Sequence, residues 1–249
     1  MIPVPSQFHA RRLATVGLVA LLVAGCTGIP TITPTPSPTV QPTIPPSPPP
    51  FTFGPTVVAG ACPTATPAAF TGTATVTMTT NYGTIVIKVD GSLGANAAGS
   101  FVALARCGYY NNVIFHRIVS GFIIQGGDGT NGREPNLILN KLGAGGPDWK
   151  VQDDKVTTTY KRGTVSLART SAANSGNSQF FIVLSDSAQA SLGAATANNY
   201  AIFGSVTTGM DVADRIALVP LGGEPGSNGE PGSMPLQPIV ITSTLVTTP

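Results

Sequence analysis

The chain has 249 residues, of which 42% are hydrophobic and 10% charged, so it can bury at least one sizeable core within one or two domains. Thirteen Lys and Arg stand against eleven Asp and Glu, and Arg11 and Arg12 lie in a leader-like segment whose removal would leave a neutral chain. That balance removes any electrostatic case for nucleic-acid binding, and the lack of charge between Arg12 and Lys88 is unusual for a cytosolic surface.

Arg11 and Arg12 precede an uncharged apolar run, Leu13 to Ala24, which ends in Val23-Ala24-Gly25-Cys26. The run is about 12 residues long, short of the roughly 20 that cross a bilayer as a helix, and Pro30 would stop a helix soon afterwards. Residues 1–25 therefore read as a signal peptide. The small residues before Cys26 resemble a bacterial lipobox, in which the cysteine is diacylated and becomes the mature N-terminus; an ordinary cleaved signal with an incidental cysteine is the alternative. Two acyl chains would anchor a domain stably where one would be marginal. Residues 26–72 then read as the lipidated cysteine and a linker. From Thr27 to about Thr56 the linker is rich in Pro, Thr and Ser, with runs such as Pro45-Pro46-Ser47-Pro48-Pro49-Pro50 that favour polyproline II at about 3.1 Å per residue. Outside the cytoplasm this reads as a spacer rather than a ligand for an SH3-like module.

Residues 73–249 form the candidate folded domain. Ala74 to Thr79 alternates, Asn81-Tyr82-Gly83 supplies turn chemistry, and Thr84 to Val89 alternates again, which predicts a β-hairpin. Asn96 to Arg106 carries Phe101, Val102, Leu104 and Ala105 on one face before Gly108, which predicts a short amphipathic helix; a second is predicted over Met210 to Leu218. Short strands are predicted at Val113 to Ile118, Phe122 to Gln125, Gly163 to Arg169, Gln179 to Leu184, Tyr200 to Val206 and Ile239 to Val246. Many short strands with few helices make a mainly β barrel or sandwich, and periodicity alone does not choose between them.

Two segments carry the chemistry. Phe115-His116-Arg117-Ile118-Val119-Ser120-Gly121-Phe122-Ile123-Ile124-Gln125-Gly126-Gly127-Asp128 places Arg117, Phe122 and Gln125 in an otherwise apolar, Gly-ended stretch, and Gly176-Asn177-Ser178-Gln179-Phe180-Phe181-Ile182-Val183 follows it. In this order they resemble the signature segments of the cyclophilins, the peptidyl-prolyl cis/trans isomerases. Gly163 to Thr170 and Gly209 to Asp214 look particularly like bacterial members. The resemblance extends from about Thr73 to the C-terminus. It implies a closed eight-stranded antiparallel barrel capped by two α-helices, acting as an isomerase on proline-containing unfolded or exported polypeptides, without a cofactor and as a monomer. A membrane-tethered proline-peptide binding or chaperone module without significant catalysis is the alternative, and an arginine aimed at the amide nitrogen favours the enzyme.

By the same resemblance, Arg117 matches the catalytic arginine and Gln125 the glutamine that steadies it and bonds the substrate carbonyl. Phe122, Ile123 and Phe181 match the proline pocket, Leu192 and Tyr200 its rim, and Ala168, Arg169 and Gln179 the peptide-backbone groove. The chain departs from the eukaryotic pattern where Ser191 replaces a tryptophan and Tyr200 a histidine, which implies weaker binding of cyclosporin. Other chemistries lack their residues. His116 is the only histidine after the leader and is implied to be a structural neighbour of the arginine, which leaves no triad; the three cysteines lack zinc spacing, and Gly143-Ala144-Gly145-Gly146-Pro147 lacks the Lys-Ser/Thr of a phosphate loop. Asp128, Asp148, Asp153 and Asp154 do not fall at EF-hand spacing, so no metal is expected. With Cys26 lipidated, Cys62 and Cys107 remain, and an oxidising compartment would permit them to bond or leave them as free thiols.

Overall fold

The structure, a computed structural model, describes residues 62–193, 200–222 and 232–249; the leader, Cys26 and the proline-rich stretch lie outside the described residues. Strands β1 (Thr73–Thr80) and β2 (Gly83–Asp90) form the expected hairpin, paired from Thr73↔Asp90 to Thr80↔Gly83. The Thr80 hydroxyl closes the turn by donating to the Gly83 carbonyl at 2.7 Å and accepting from the Tyr82 N–H at 3.0 Å. Gly83 has φ +129°, a conformation a side chain would oppose.

Helix α1 (Ala95–Arg106) follows. Its N-cap, Gly94, has no side chain to offer, and Asp154 takes over from a distant loop by accepting from the Asn96 N–H at 3.1 Å and the Ala97 N–H at 2.8 Å. Then come β3 (Val113–Val119), β4 (Ile123–Gly126), β5 (Thr164–Leu167), β6 (Phe180–Val183), the single-turn α2 (Gln189–Leu192), β7 (Ile202–Thr208), α3 (Met210–Ala217) and β8 (Ile239–Thr247). The strands close antiparallel in the order β1-β2-β7-β5-β6-β4-β3-β8, which decides for a barrel over a sandwich. Both longer helices expected from the sequence are present, and α2 is a further single turn beside the site. The expected strand at Gly163 to Arg169 is shorter, so Ala168 and Arg169 follow β5 instead of lying within it.

The interior holds Val76, Met78, Ile85, Ile87, Phe115, Ile124, Phe180 and Phe203, joined by Phe101 of α1 and Ile216 of α3. Phe101 meets Phe180 edge to face with centroids 5.2 Å apart and Phe203 at 4.8 Å, so the helix is keyed into the barrel by aromatic packing. Residues 62–72, read from the sequence as the end of the linker, lie along the domain. Cys62 and Cys107 are joined by a disulfide with Cα atoms 5.2 Å apart. The Trp149 indole donates to the Pro63 carbonyl at 3.0 Å, and the Phe70 N–H donates to the Ala95 carbonyl at 2.9 Å. A Cβ on Gly99 would stand 2.2 Å from the Ala68 carbonyl oxygen, so this segment needs glycine on α1 to lie so close. Among the described residues no helix is long and apolar enough to cross a membrane.

Candidate active site

The site forms on the outer face of the barrel because one strand breaks its alternation. Phe115 and Ile118 of β3 both join the interior. Two residues apart they would share a face; three apart they cannot, unless the strand carries an extra residue. The register shifts between Phe115, which faces Gly126, and Arg117, which faces Gln125. This bulge at His116 turns Arg117 outward and sets it opposite Gln125. Continuing the alternation, Ile123 and Gln125 of β4 face out with Phe181 of β6, whereas Ile124, Phe180 and Ile182 face in.

Arg117 is only 2% exposed although it lies outside the barrel. Its Nη1 donates to Gln125 Oε1 at 3.4 Å; Gln125 Nε2 donates to Gln179 Oε1 at 3.0 Å; Gln179 Nε2 donates to the carbonyls of Gly143 and Gly145 at 2.9 Å each. Each amide is thereby oriented by the next. Beside this polar chain lies an apolar cluster of Phe122, Ile123, Ala168, Phe181, Leu192 and Tyr200, to which Tyr160, Val183, Ala188 and Ile202 also belong. The Phe181 and Tyr200 rings meet edge to face at 5.5 Å. The structure therefore gathers every pocket and rim residue named from the sequence into one patch next to Arg117. Ala168 donates its N–H to the Gln179 carbonyl at 2.8 Å. Arg169 is held farther along by Asp153, Nε to Oδ1 at 3.5 Å, and by donation to the Thr170 and Ala172 carbonyls.

Tyr160 was not read from the sequence. Its hydroxyl donates to the Tyr200 carbonyl at 2.7 Å, its N–H donates to Gln189 Oε1 at 2.7 Å, and burial raises its pKa, so it is a neutral prop within the apolar cluster. No signal in Thr157-Thr158-Thr159-Tyr160 announces this, since the contact depends on the closure of a long loop. His116 is buried, with neither ring nitrogen hydrogen-bonded among the described residues. Its pKa is pushed down to about 4 by burial, Asp128 pulling the other way and Arg117 adding to the fall, so the ring is neutral at pH 7. Among the described residues no group of acidic, His and Cys side chains could hold a metal ion.

The family model for cyclophilin-type peptidyl-prolyl cis-trans isomerases matches residues 75–246. The chain belongs to the cyclophilin family. This cyclophilin is 37% identical over 168 residues to peptidyl-prolyl cis-trans isomerase A of Dickeya dadantii, covering 68% of this chain and 82% of that protein. It is 34% identical to peptidyl-prolyl cis-trans isomerase B of Escherichia coli, covering 69% of this chain and 98% of that one. A crystal structure of a cyclophilin-type isomerase from Cryptosporidium parvum superposes with a TM-score of 0.56 at 28% identity, over 71% of this chain and 99% of that one; a second crystal structure of it was determined in the presence of the dipeptide Ala-Pro. As a cyclophilin, the chain is an enzyme of the peptidyl-prolyl cis-trans isomerase class.

Proposed function

We propose that the outer-face site isomerises X-Pro bonds by electrostatic stabilisation of the twisted amide, and that its clients are exported polypeptides met at a membrane to which Cys26 is lipid-anchored. Rotation about the peptide bond sacrifices resonance and meets a barrier of ~18–20 kcal/mol, so uncatalysed exchange takes tens of seconds or longer. In the twisted state the proline nitrogen regains a lone pair. A guanidinium aimed at that nitrogen favours the twisted state over the planar one, and a charge-assisted hydrogen bond is worth about 1.5–3 kcal/mol, or about one to two powers of ten in rate. Phe122, Phe181 and their neighbours grip the ring; no nucleophile or metal enters the step.

One observation carries this reading: an arginine 2% exposed, held by the amide of Gln125 against an apolar patch. A salt bridge on a wetted surface would need neither the burial nor the patch. A proline-isomerisation assay on wild type and Arg117→Ala tests it, with a loss of about 10- to 100-fold expected from the variant. Peptide binding without acceleration by the wild type would instead make the domain a binding module. The disulfide between Cys62 and Cys107 supports an oxidising compartment. A mass measurement of the mature N-terminus tests the anchor, and an unmodified Cys26 would remove the membrane from this account.

A further inference from the structure

We infer that Asp128 is a positioning residue for the isomerisation, acting on Arg117 through a loop and two amides and never touching the peptide. The inference deepens the proposed role of Arg117 and rests on it. Asp128 is fully buried where the first signature segment ends. Its Oδ2 accepts from the Gly143 N–H at 2.8 Å, the Gly145 N–H at 3.0 Å and Asn131 Nδ2 at 3.3 Å, while Oδ1 accepts from the Asn131 N–H at 2.8 Å and the Thr130 N–H at 3.2 Å. A carboxylate surrounded by donors holds Gly143 and Gly145 in a stretch with no regular structure of its own, where Thr130 Oγ1 holds Gly146.

Gly143 and Gly145 are also the residues whose carbonyls receive Gln179 Nε2. Their N–H groups point to Asp128 and their carbonyls to Gln179, so the loop is a bridge between the two side chains. Both bonds on Gln179 Nε2 dictate which end of its amide faces Gln125, and hence that Gln125 presents its oxygen to Arg117. Asp128 thereby sets the polarity of the whole chain. Glycine is required for this close approach, because a Cβ on Gly145 would lie 2.1 Å from Asp128 Oδ1 and 2.5 Å from Asn131 Nδ2.

The test uses the full chain bearing Asp128→Asn, which keeps the shape but turns one acceptor into a donor facing N–H groups. The expected result is a fall in kcat/KM on an Ala-Pro peptide of about tenfold, with the peptide Kd from an NMR titration unchanged within about twofold and a shifted Arg117 Nε–Hε signal. In a Gln179→Ala background the same substitution should cost under about twofold more, since the relay is already cut. Gly145→Ala, which keeps the carboxyl group but sets a Cβ against it and so parts it from the loop, should reproduce the phenotype should Asp128→Asn fail to fold. Full activity in either variant, or a full additive loss in the Gln179→Ala background, would overturn the inference. Full activity in Arg117→Ala would instead overturn the proposed mechanism, so the two failures are distinguishable.

Discussion

Gln125→Glu is the substitution that most directly interrogates the polarity of the site, because it changes one atom and keeps the side-chain shape. In the wild type Gln125 offers an oxygen to Arg117 and an N–H to Gln179 Oε1, the latter at 3.0 Å. A carboxylate there has two oxygens. One faces the guanidinium and draws its charge away from the substrate nitrogen; the other faces Gln179 Oε1, acceptor against acceptor. Gln179 cannot relieve this by turning over, since its Nε2 already donates to the Gly143 and Gly145 carbonyls at 2.9 Å each. If the charge-assisted contact to the twisted amide is lost, the cost is about 1.5–3 kcal/mol, or about 10- to 100-fold in kcat/KM. Gln125→Ala removes the acceptor that orients the guanidinium at 3.4 Å without setting an anion beside it, and should cost less, about fivefold. The isosteric change is therefore expected to be the more damaging one. Acidification gives the decisive signature: once protonated, the introduced acid can donate to Gln179 and accept from Arg117, copying the glutamine. Measured as a ratio to wild type at each pH from 8 to about 4, the deficit should shrink toward the acid end of the range as the introduced acid takes up its proton. Wild-type activity in Gln125→Glu at pH 8, or a deficit that deepens on acidification, would refute the reasoning.

Three other outcomes are expected. His116 is buried neutral with its pKa lowered from 6.5 to about 4. The unfolded chain therefore binds the extra proton between those values, and the stability from keeping the ring neutral is complete above about pH 6.5 and is lost as pH falls to about 4, roughly 3 kcal/mol in all. Urea midpoints should fall across that window in wild type and much less in His116→Gln; parallel curves would sink the assignment. The Cys62–Cys107 bridge spans a sequence separation of 45 residues, and closing a loop of that size is worth about 4 kcal/mol in the chain-entropy account, or about 8–16 °C in Tm for a domain of this size. Cys62→Ser should lower Tm on that scale with kcat unchanged; a shift under about 2 °C would show that the packing of residues 63–70 suffices without it. With Ser191 where the family resemblance puts a drug-contacting indole, cyclosporin should inhibit this domain weakly in the isomerisation assay, and nanomolar inhibition would contradict that.

Much of the fold was legible because its strands obey local rules. The β1–β2 hairpin could be placed within a residue at each end from alternation and Asn81-Tyr82-Gly83, and α1 from its apolar face and Gly108. Where the rules fail, the reason is tertiary. Asp154 caps α1 from 58 residues away in sequence, and no local pattern links a carboxylate to a helix start at that distance. Tyr160 is invisible for the same reason, since its partners Gln189 and the Tyr200 carbonyl lie 29 and 40 residues farther along the sequence.

The site itself was legible by resemblance and not by period. Strict alternation from Phe115 would send Arg117 into the interior with Ile87 and Phe180, where a guanidinium, always charged, would be desolvated without a partner. The bulge at His116 prevents this, and nothing in Phe115-His116-Arg117-Ile118 marks it, because a bulge is decided by how two strands share their bonds. Its consequence links two otherwise separate facts. The residue displaced by the bulge is buried and feels the charges of Asp128 and Arg117 with opposite sign, so the same extra residue that aims the guanidinium outward also buries an imidazole that is neutral at pH 7. The acid sensitivity expected of the domain is thus the energetic counterpart of the geometry that turns its arginine to the outer face of the barrel.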